Sequence, residues 1–453
     1  MGDGPAVLND LPAGKSARVP EIHPNLWQEV CFVILCAYLL SGFVNEFALR
    51  LIHGKAYISN ISLVLLPGVF LVTGSAFRGA RVSFGKWWIA FGLWLGICAP
   101  FSVWKGDTAS LLLNYFFRSY LLYFVICACV VTLGRIRTLM YVFGIGNLLI
   151  VLNCFAFGSV GGGRLTVAGS NFSSFANANE LGLQLLLGIP VFLFAFLRGG
   201  KFLKVLSMIF IALSVVYMLR TGSRGAFVAA LAVMIVFLWF NRIKIKTLTA
   251  VLLLFVIALV LLPSSARHRL TYFAIGDDRR VADKEDASAL ESQIEREQLF
   301  WDSVSITLRH PLVGVGPGEF MIEDVRESEK KGERPAWRQT HNSYTQVSSE
   351  AGIPGFVFYV CSILSCLGLN HRVYRRTAGK KGLEDYAGLS LCMLLSTVGY
   401  AVGTIFDHLA YTGYLPIIGG ITVVTYFATR RALRALKHEE PGATNVPDVG
   451  EPA

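Results

Sequence analysis

Residues 202–241 read FLKVLSMIFIALSVVYMLRTGSRGAFVAALAVMIVFLWFN, and this stretch decides the fold class. It contains two apolar runs, 202–219 and 224–241, with only a short polar segment between them. A helix of about 20 predominantly apolar residues crosses a hydrocarbon core of about 30 Å. The stretch therefore predicts two membrane-spanning helices joined by a tight turn.

Runs of this kind recur along the whole chain of 453 residues, of which 54% are hydrophobic and only 16% are charged. A soluble protein is nearer a quarter charged, and it could not bury so many helices that are apolar on every side. The sequence therefore predicts an all-α polytopic membrane protein with about 12 transmembrane helices. The predicted spans are 27–44, 58–76, 84–103, 109–132, 139–158, 180–197, 202–219, 224–241, 247–263, 351–370, 386–406 and 410–428.

Every second connection between these spans is basic, as at Arg135 and Arg137 or at Arg242 and Lys244. By the positive-inside rule, both termini and the basic connections are cytoplasmic. The net charge of +11 is therefore a feature of membrane topology, and it does not indicate nucleic-acid binding. The predicted organisation is a cytoplasmic tail (1–26), helices 1–9 (27–263), a large external loop (264–350), helices 10–12 (351–428) and a second cytoplasmic tail (429–453).

The large external loop is expected to contain an amphipathic helix. Ser288-Ala-Leu-Glu291 reads as a capping box that opens this helix, and apolar residues follow at helical spacing. The helix should end before His310-Pro311, because a residue that precedes proline is biased away from the α conformation. The helix would either lie on the membrane face or help to build a site there.

Three arginines stand out in or beside the predicted spans. Arg220 and Arg224 flank the tight external turn, and Arg224 opens a helix whose free N–H groups favour anions. Two guanidiniums at such a helix end would clamp a phosphate or pyrophosphate. The alternative is that they bind lipid headgroups. Arg118 lies inside the fourth span, where an arginine is costly and normally faces a cavity or partner, unless it snorkels to the surface.

Further polar residues gather at the external ends of the spans. Asn177 and Asn179 stand where the sixth helix begins, and capping explains only one of them. His341, at the end of the loop, could accept a proton at neutral pH. The pair Asp407-His408, in the last external turn, is a weaker second candidate. The external segments contain no HExxH motif, no Cys/His cluster and no DxD pair, so a metal is not expected.

Together these segments resemble the O-antigen ligase/polymerase superfamily of bacterial envelope membrane glycosyltransferases. The resemblance covers residues 160–370 well and the rest mainly by the number of spans. The pieces that match, in family order, are Arg164 with Gly169 and Asn177-Ala-Asn179-Glu-Leu-Gly182; Gly222-Ser-Arg224-Gly225; Arg296 with Trp301; His310-Pro-Leu-Val-Gly-Val-Gly-Pro-Gly-Glu-Phe320; and His341-Asn-x-Tyr344 with Glu350-x-Gly352-x-x-Gly355.

The resemblance implies metal-independent glycosyl transfer at the periplasmic face of the bacterial inner membrane, without a cofactor. The donor would be a glycan on undecaprenyl pyrophosphate, and the acceptor would be lipid A–core or a growing glycan. By position, His341 would be the catalytic base or the residue that orients the acceptor. Arg224 and Arg296 would bind the donor pyrophosphate, with Arg220 close enough to assist. Residues that could line the site are Arg118, Arg164, Asn177, Asn179, Asn342, Tyr344, Glu350 and His408.

The sequence leaves several functions open. An O-antigen ligase that acts on lipid A–core is the first hypothesis, and an O-antigen or exopolysaccharide polymerase is the alternative within the superfamily. A ligase with a protein acceptor shares the same scaffold. A transporter of lipid-linked solutes is the alternative of a different class, but it should carry polar residues through the membrane midplane in several helices. Here the polar residues collect at the external face.

Overall fold

A computed structural model describes residues 23–52, 70–71, 73–75, 77–161, 164–167, 177–241, 284–332 and 337–439. The helices are α1 (Leu26–Ile52), α2 (Ser83–Cys98), α3 (Lys105–Tyr115), α4 (Leu122–Cys129), α5 (Leu133–Phe157), α6 (Ala178–Arg198), α7 (Lys201–Arg220), α8 (Arg224–Asn241), α9 (Lys284–Arg309), α10 (Phe320–Lys331), α11 (Ser343–Thr377), α12 (Glu384–Gly403) and α13 (Tyr414–Glu439). A small antiparallel hairpin, β1 (Ser159–Gly161) with β2 (Arg164–Thr166), follows α5.

The helices confirm an all-α polytopic membrane protein. In the described ranges, 8 helical segments are long and apolar enough to cross a membrane, and the shorter apolar helix Arg224–Phe240 adds another. With α13, these account for ten of the predicted spans. The predicted span 247–263 and most of 58–76 lie outside the described residues. Which ends of the helices face the cytoplasm stays a prediction from the distribution of basic residues.

The fourth span is continuous but not uniform. Helices α3 and α4 are joined by a π-helical turn, Phe116–Tyr120, which contains Arg118. Turns of this type widen a helix by one residue and are frequent at functional sites. The side chain of Arg118 is exposed, and its backbone carbonyl accepts a hydrogen bond of 3.1 Å from the Tyr38 hydroxyl on α1.

The loop helix α9 begins one turn earlier than the sequence predicted. It starts at Lys284 rather than at Ser288, so the predicted capping box is not its N-terminus. The predicted end is confirmed, because α9 ends at Arg309, directly before His310-Pro311.

The segment between α9 and α10 folds back against the start of α11. The Val315 N–H donates to the Ser349 carbonyl at 2.9 Å, and the Gly318 N–H donates to the Glu350 carboxylate at 2.9 Å. Glu350 is only 1% exposed. A small core of Leu299, Ile306, Val315 and Phe320 packs α9 onto this segment. The segment between α9 and α10 is therefore attached firmly to the end of a membrane helix.

Gly352 makes that attachment possible. It interrupts the helical conformation of α11 with φ +70° and ψ −177°, a combination that residues with a side chain rarely adopt. A Cβ atom there would lie 2.0 Å from the carbonyl oxygen of Leu312. Only glycine allows the loop to approach the helix this closely.

We therefore expect Gly352→Ala to destabilise the protein. Backbone strain alone costs about 1–3 kcal/mol, and the clash with Leu312 adds to it. The measurement is the thermal unfolding of purified protein in detergent. Gly368→Ala is the matched control, because it lies on the same helix and its Cβ would meet no atom within 4 Å. A variant at position 352 as stable as this control would contradict the assignment.

Candidate active site

His341 lies in a strained turn directly before α11. Its φ is +50°, and it is the one non-glycine residue with a positive φ among the residues that the structure describes. Asn342 follows as the N-cap of α11, and its side chain accepts hydrogen bonds from the N–H groups of Tyr344 and Thr345 at 2.9 and 3.2 Å. The capped helix fixes the turn, so strain is retained at the residue predicted to be the base.

The turn at His341 is joined to the turn between α12 and α13. The Ser343 N–H donates to the Thr404 carbonyl at 2.8 Å. The Ser343 hydroxyl donates to the Asp407 carbonyl at 2.7 Å and accepts from the Leu409 N–H at 2.7 Å. These bonds hold residues 341–343 beside residues 404–409, although more than 60 positions separate them in the sequence.

His341, Asp407 and His408 form one cluster. The two imidazole rings meet edge to face, with 5.5 Å between their centroids. Asp407 is 2% exposed, and one of its carboxylate oxygens lies 3.4 Å from Nδ1 of His408. Nδ1 of His341 and the other carboxylate oxygen of Asp407 are buried, and neither has a hydrogen-bond partner among the described residues. Such atoms are rare in native proteins and indicate a site for a ligand or for proton transfer.

The electrostatic environment keeps both histidines unprotonated. Burial lowers the pKa of His341 to about 4, and the positive charges of Arg296 and Arg164 contribute to this shift, as does His408. Burial also lowers the pKa of His408 to about 4. Burial raises the pKa of Asp407 to about 6, although the same two arginines oppose that rise. At neutral pH the cluster therefore presents two imidazoles with free lone pairs beside one carboxylate.

Arg164, at the start of β2, ties three segments of the site together. Its Nε donates to the Thr221 carbonyl at 3.1 Å, and its terminal nitrogen donates to the Asn179 side chain at 2.6 Å. Asn177 is the N-cap of α6 and accepts from the Asn179 N–H at 2.9 Å. One asparagine therefore caps the helix and the other positions Arg164, which explains why both are present.

The tight turn between Arg220 and Arg224 lies next to the cluster. The Ser223 hydroxyl accepts from the Ala226 N–H at 3.3 Å, so it caps α8 as that helix begins. At Gly225, a Cβ atom would lie 2.5 Å from the side chain of Phe406, the residue before Asp407. The first turn of α8 is therefore in close contact with the turn that carries Asp407 and His408.

Arg296 reaches the cluster from α9. It lies three residues before Leu299, on the face of the helix that Leu299 and Ile306 bury. Its positive charge lowers the pKa of both His341 and Asp407, so the guanidinium lies within electrostatic reach of the two residues. The sequence predicted that Arg296 and His341 lie together, and the structure brings them into one site.

Helix α10 pairs with the end of α9 and with the segment before His341. Glu327 forms an ion pair with Arg309 at the end of α9. Asp324, which is buried, accepts a hydrogen bond of 3.1 Å from Arg338, three residues before His341. One short helix therefore connects the C-terminal end of α9 with the segment that leads to the histidine.

Three of the residues that the sequence proposed as possible site-lining groups have other contacts. The Tyr344 hydroxyl donates to the Ala401 carbonyl at 2.7 Å, and Glu350 holds Gly318. Arg118 contacts Tyr38 on α1, and its described hydrogen bond does not join it to the cluster. Asp407, which the sequence offered together with His408 as a weaker second candidate, belongs to the cluster. The adjacent acid and histidine in a short external turn were the available signal.

Comparison with known proteins identifies the family that this site resembles. Residues 208–360, about a third of the chain, match the model of the O-antigen ligase family. The matched segment contains Arg220, Arg224, Arg296 and His341. This match confirms the predicted resemblance to the O-antigen ligase/polymerase superfamily, and it indicates a membrane glycosyltransferase class of enzyme. No curated protein matches the chain closely enough to count as a relative.

Proposed function

We propose that the protein transfers a glycan from undecaprenyl pyrophosphate to a sugar hydroxyl at the periplasmic face of the inner membrane, without a metal. The acceptor that we favour is lipid A–core, which makes the protein an O-antigen ligase. The observation that carries the proposal is the partly buried, unprotonated His341 imidazole, which the positive charges of Arg296 and Arg164 influence. A base and a set of anion-binding groups in one site are what this reaction requires.

The base acts on the acceptor. As the acceptor oxygen attacks the anomeric carbon of the donor glycan, its proton passes to the free imidazole nitrogen of His341. General-base catalysis of this kind contributes about 10²–10⁴-fold to a rate. The Asp407 carboxylate lies within the same cluster and stabilises the imidazolium that forms.

The arginines act on the leaving group. The bond between the anomeric carbon and the phosphate oxygen breaks, and its electron pair goes to undecaprenyl pyrophosphate. Arg224 and Arg296 bind the pyrophosphate as its negative charge grows, and Arg220 assists. Fixed guanidiniums stabilise such charge strongly, because they need no reorganisation during the reaction. Pyrophosphate is already a good leaving group, so the chemistry does not demand a metal.

The position of the site suits a donor that arrives in the bilayer. Arg220 ends α7 and Arg224 begins α8, and both helices are apolar along their length. The pyrophosphate of a lipid-linked glycan lies at the interface, which is the level at which these helices end. A polymerase that extends repeat units would use the same groups and would differ in its acceptor groove. A transporter of lipid-linked solutes is disfavoured, because the charged cluster lies at one end of the helices.

A transfer assay with purified protein tests this proposal. We expect glycan to move from a lipid-pyrophosphate donor to lipid A–core, and we expect the same rate in excess EDTA. A donor whose glycan is linked to lipid monophosphate is the control. It should react far more slowly, because monophosphate is a poorer leaving group than pyrophosphate. Absence of transfer, or its loss in EDTA with rescue by a divalent ion, would overturn the proposal.

Deletion in the native host distinguishes the two members of the superfamily. For a ligase, we expect uncapped lipid A–core together with full-length polymer that remains on its carrier. For a polymerase, the deletion strain should instead carry single repeat units on lipid A–core. Gel analysis of the envelope glycans detects both phenotypes. Wild-type glycans in the deletion strain would exclude both the ligase and the polymerase role.

A further inference from the structure

Three side chains of the site have the composition of a metal site. His341, Asp407 and His408 each offer one ligand atom, and these atoms all lie within 4.8 Å of one another. We propose that they form an inhibitory site for a divalent transition-metal ion such as Zn²⁺. Binding of the ion is independent of the proposed function, but its inhibitory effect rests on that function.

The geometry is close to what zinc requires. Bonds from zinc to nitrogen and oxygen are about 2.0–2.2 Å long, so neighbouring ligand atoms in a tetrahedral site lie about 3.4 Å apart. Nδ1 of His408 and a carboxylate oxygen of Asp407 are already separated by 3.4 Å. The ligand atom of His341 lies within 4.8 Å of the other two. Three protein ligands would leave the fourth position open to water or substrate.

The surrounding structure holds the ligands in place and leaves their lone pairs available. Asp407 accepts from the His408 N–H at 3.0 Å through the carboxylate oxygen that faces His408. Ser343 fixes the backbone on both sides of His408, through the Asp407 carbonyl and the Leu409 N–H. Nδ1 of both histidines and one oxygen of Asp407, which is 98% buried, have no hydrogen-bond partner in the described parts of the chain. Three buried donor atoms without partners, on a fixed backbone, are a preformed ligand set.

The charges around the cluster decide which ions would bind. Arg296 and Arg164 oppose the approach of any cation. An ion must therefore gain its affinity from bonds to imidazole nitrogen rather than from charge alone. Zn²⁺, Ni²⁺ and Cu²⁺ form such bonds, whereas Mg²⁺ and Ca²⁺ prefer sites made of oxygen. We therefore expect a site that selects transition metals.

A bound ion would stop the proposed reaction at the base. Coordination uses the lone pair of His341 that would otherwise accept the proton of the acceptor. The ion would also occupy the carboxylate of Asp407, which stabilises the imidazolium. Zinc would thus act as a reversible inhibitor of an enzyme that needs no metal.

Calorimetry with ZnCl₂ and the full-length, tag-free protein in detergent tests the site. We expect one ion per chain, with no binding of Mg²⁺. His408→Ala and Asp407→Asn should each weaken zinc binding at least tenfold. His310→Ala is the matched control, because it removes another histidine of the external loop that is exposed and outside the cluster. Equal affinity in the wild type and both cluster variants would overturn the proposal.

Two further measurements keep the test decisive. Co²⁺ bound to the wild-type protein should show the visible absorption of tetrahedral coordination, so the site is testable even if a variant does not fold. Absence of that absorption, or equal binding of Mg²⁺ and Zn²⁺, would also overturn it. In the transfer assay, saturating Zn²⁺ should lower the rate at least tenfold, and EDTA should restore it. Zinc binding without any transfer activity would refute the proposed function and leave the metal site standing.

Discussion

Replacement of His341 by alanine is expected to lower the rate of glycan transfer by about 10²–10⁴-fold, because the reaction loses its general base. The fall should appear in the turnover rate at saturating donor. Binding of the donor should change little, since the arginines that we propose as ligands of the pyrophosphate lie on other segments. Single-turnover transfer, measured with purified protein in EDTA and a fluorescent lipid-linked donor, separates the two quantities.

His371→Ala is the control for this variant. His371 lies near the far end of α11, where its ring contacts Phe240 and takes no part in the cluster. The His371→Ala variant should therefore transfer glycan at the wild-type rate. The left-handed φ of His341 also gives a second control, because His341→Gly removes the imidazole but accepts the backbone conformation. If the alanine variant is inactive and the glycine variant is fully active, the residue has a structural role and the base lies elsewhere.

The sequence predicted the fold because the membrane dominates it. Apolar runs of sufficient length have few alternatives to a spanning helix, so α5, α6 and α7 follow from hydropathy alone. The positions at which helices begin and end are determined less strongly by hydropathy. The capping pattern predicted that α9 starts at Ser288, one turn after its actual start at Lys284. A capping box marks a position where a helix can begin, not one where it must begin. Close approach of the loop to Gly352 also depends on tertiary contacts that periodicity does not contain.

The site was predictable only in part, again because some of its contacts join segments that are distant in the sequence. Arg224, Arg296 and His341 stand in motifs with recognisable local sequence, so they could be proposed as one site. Asp407 has no such motif, and it reaches His341 only because Ser343 bonds to its turn.

For other polar residues, position in the sequence does not reveal the role in the structure. Glu350 stands close to His341 in the sequence, yet its carboxylate faces Gly318, because α11 directs it toward the loop. Asn179 needed a partner, Arg164, that lies in a separate hairpin. Pairings between distant segments decide these roles, and a single sequence does not contain them.

Arg296→Gln is expected to have the second large effect, and it should change both the rate and its pH dependence. Loss of the guanidinium removes one ligand of the pyrophosphate, which should lower kcat/KM by about 10²-fold or more. After burial, Arg296 is the largest contributor to the low pKa of His341, so its removal raises that pKa. A base must be unprotonated to act, and activity is lost as the pH falls through its pKa. The acid limb of the rate profile should therefore move to higher pH.

Arg296→Lys separates charge from geometry at this position. Lysine retains the positive charge, so the acid limb should stay near its wild-type position. It lacks the planar fork that binds two phosphate oxygens at once, so kcat/KM should still fall. Arg309→Gln is the matched control on the same helix, because Arg309 pairs with Glu327 and should not alter the profile. If Arg296→Gln leaves the acid limb unmoved, its charge does not act on the base. If Arg296→Lys keeps full activity, bidentate recognition of pyrophosphate at this residue is wrong, and the guanidinium serves only as a positive charge beside His341.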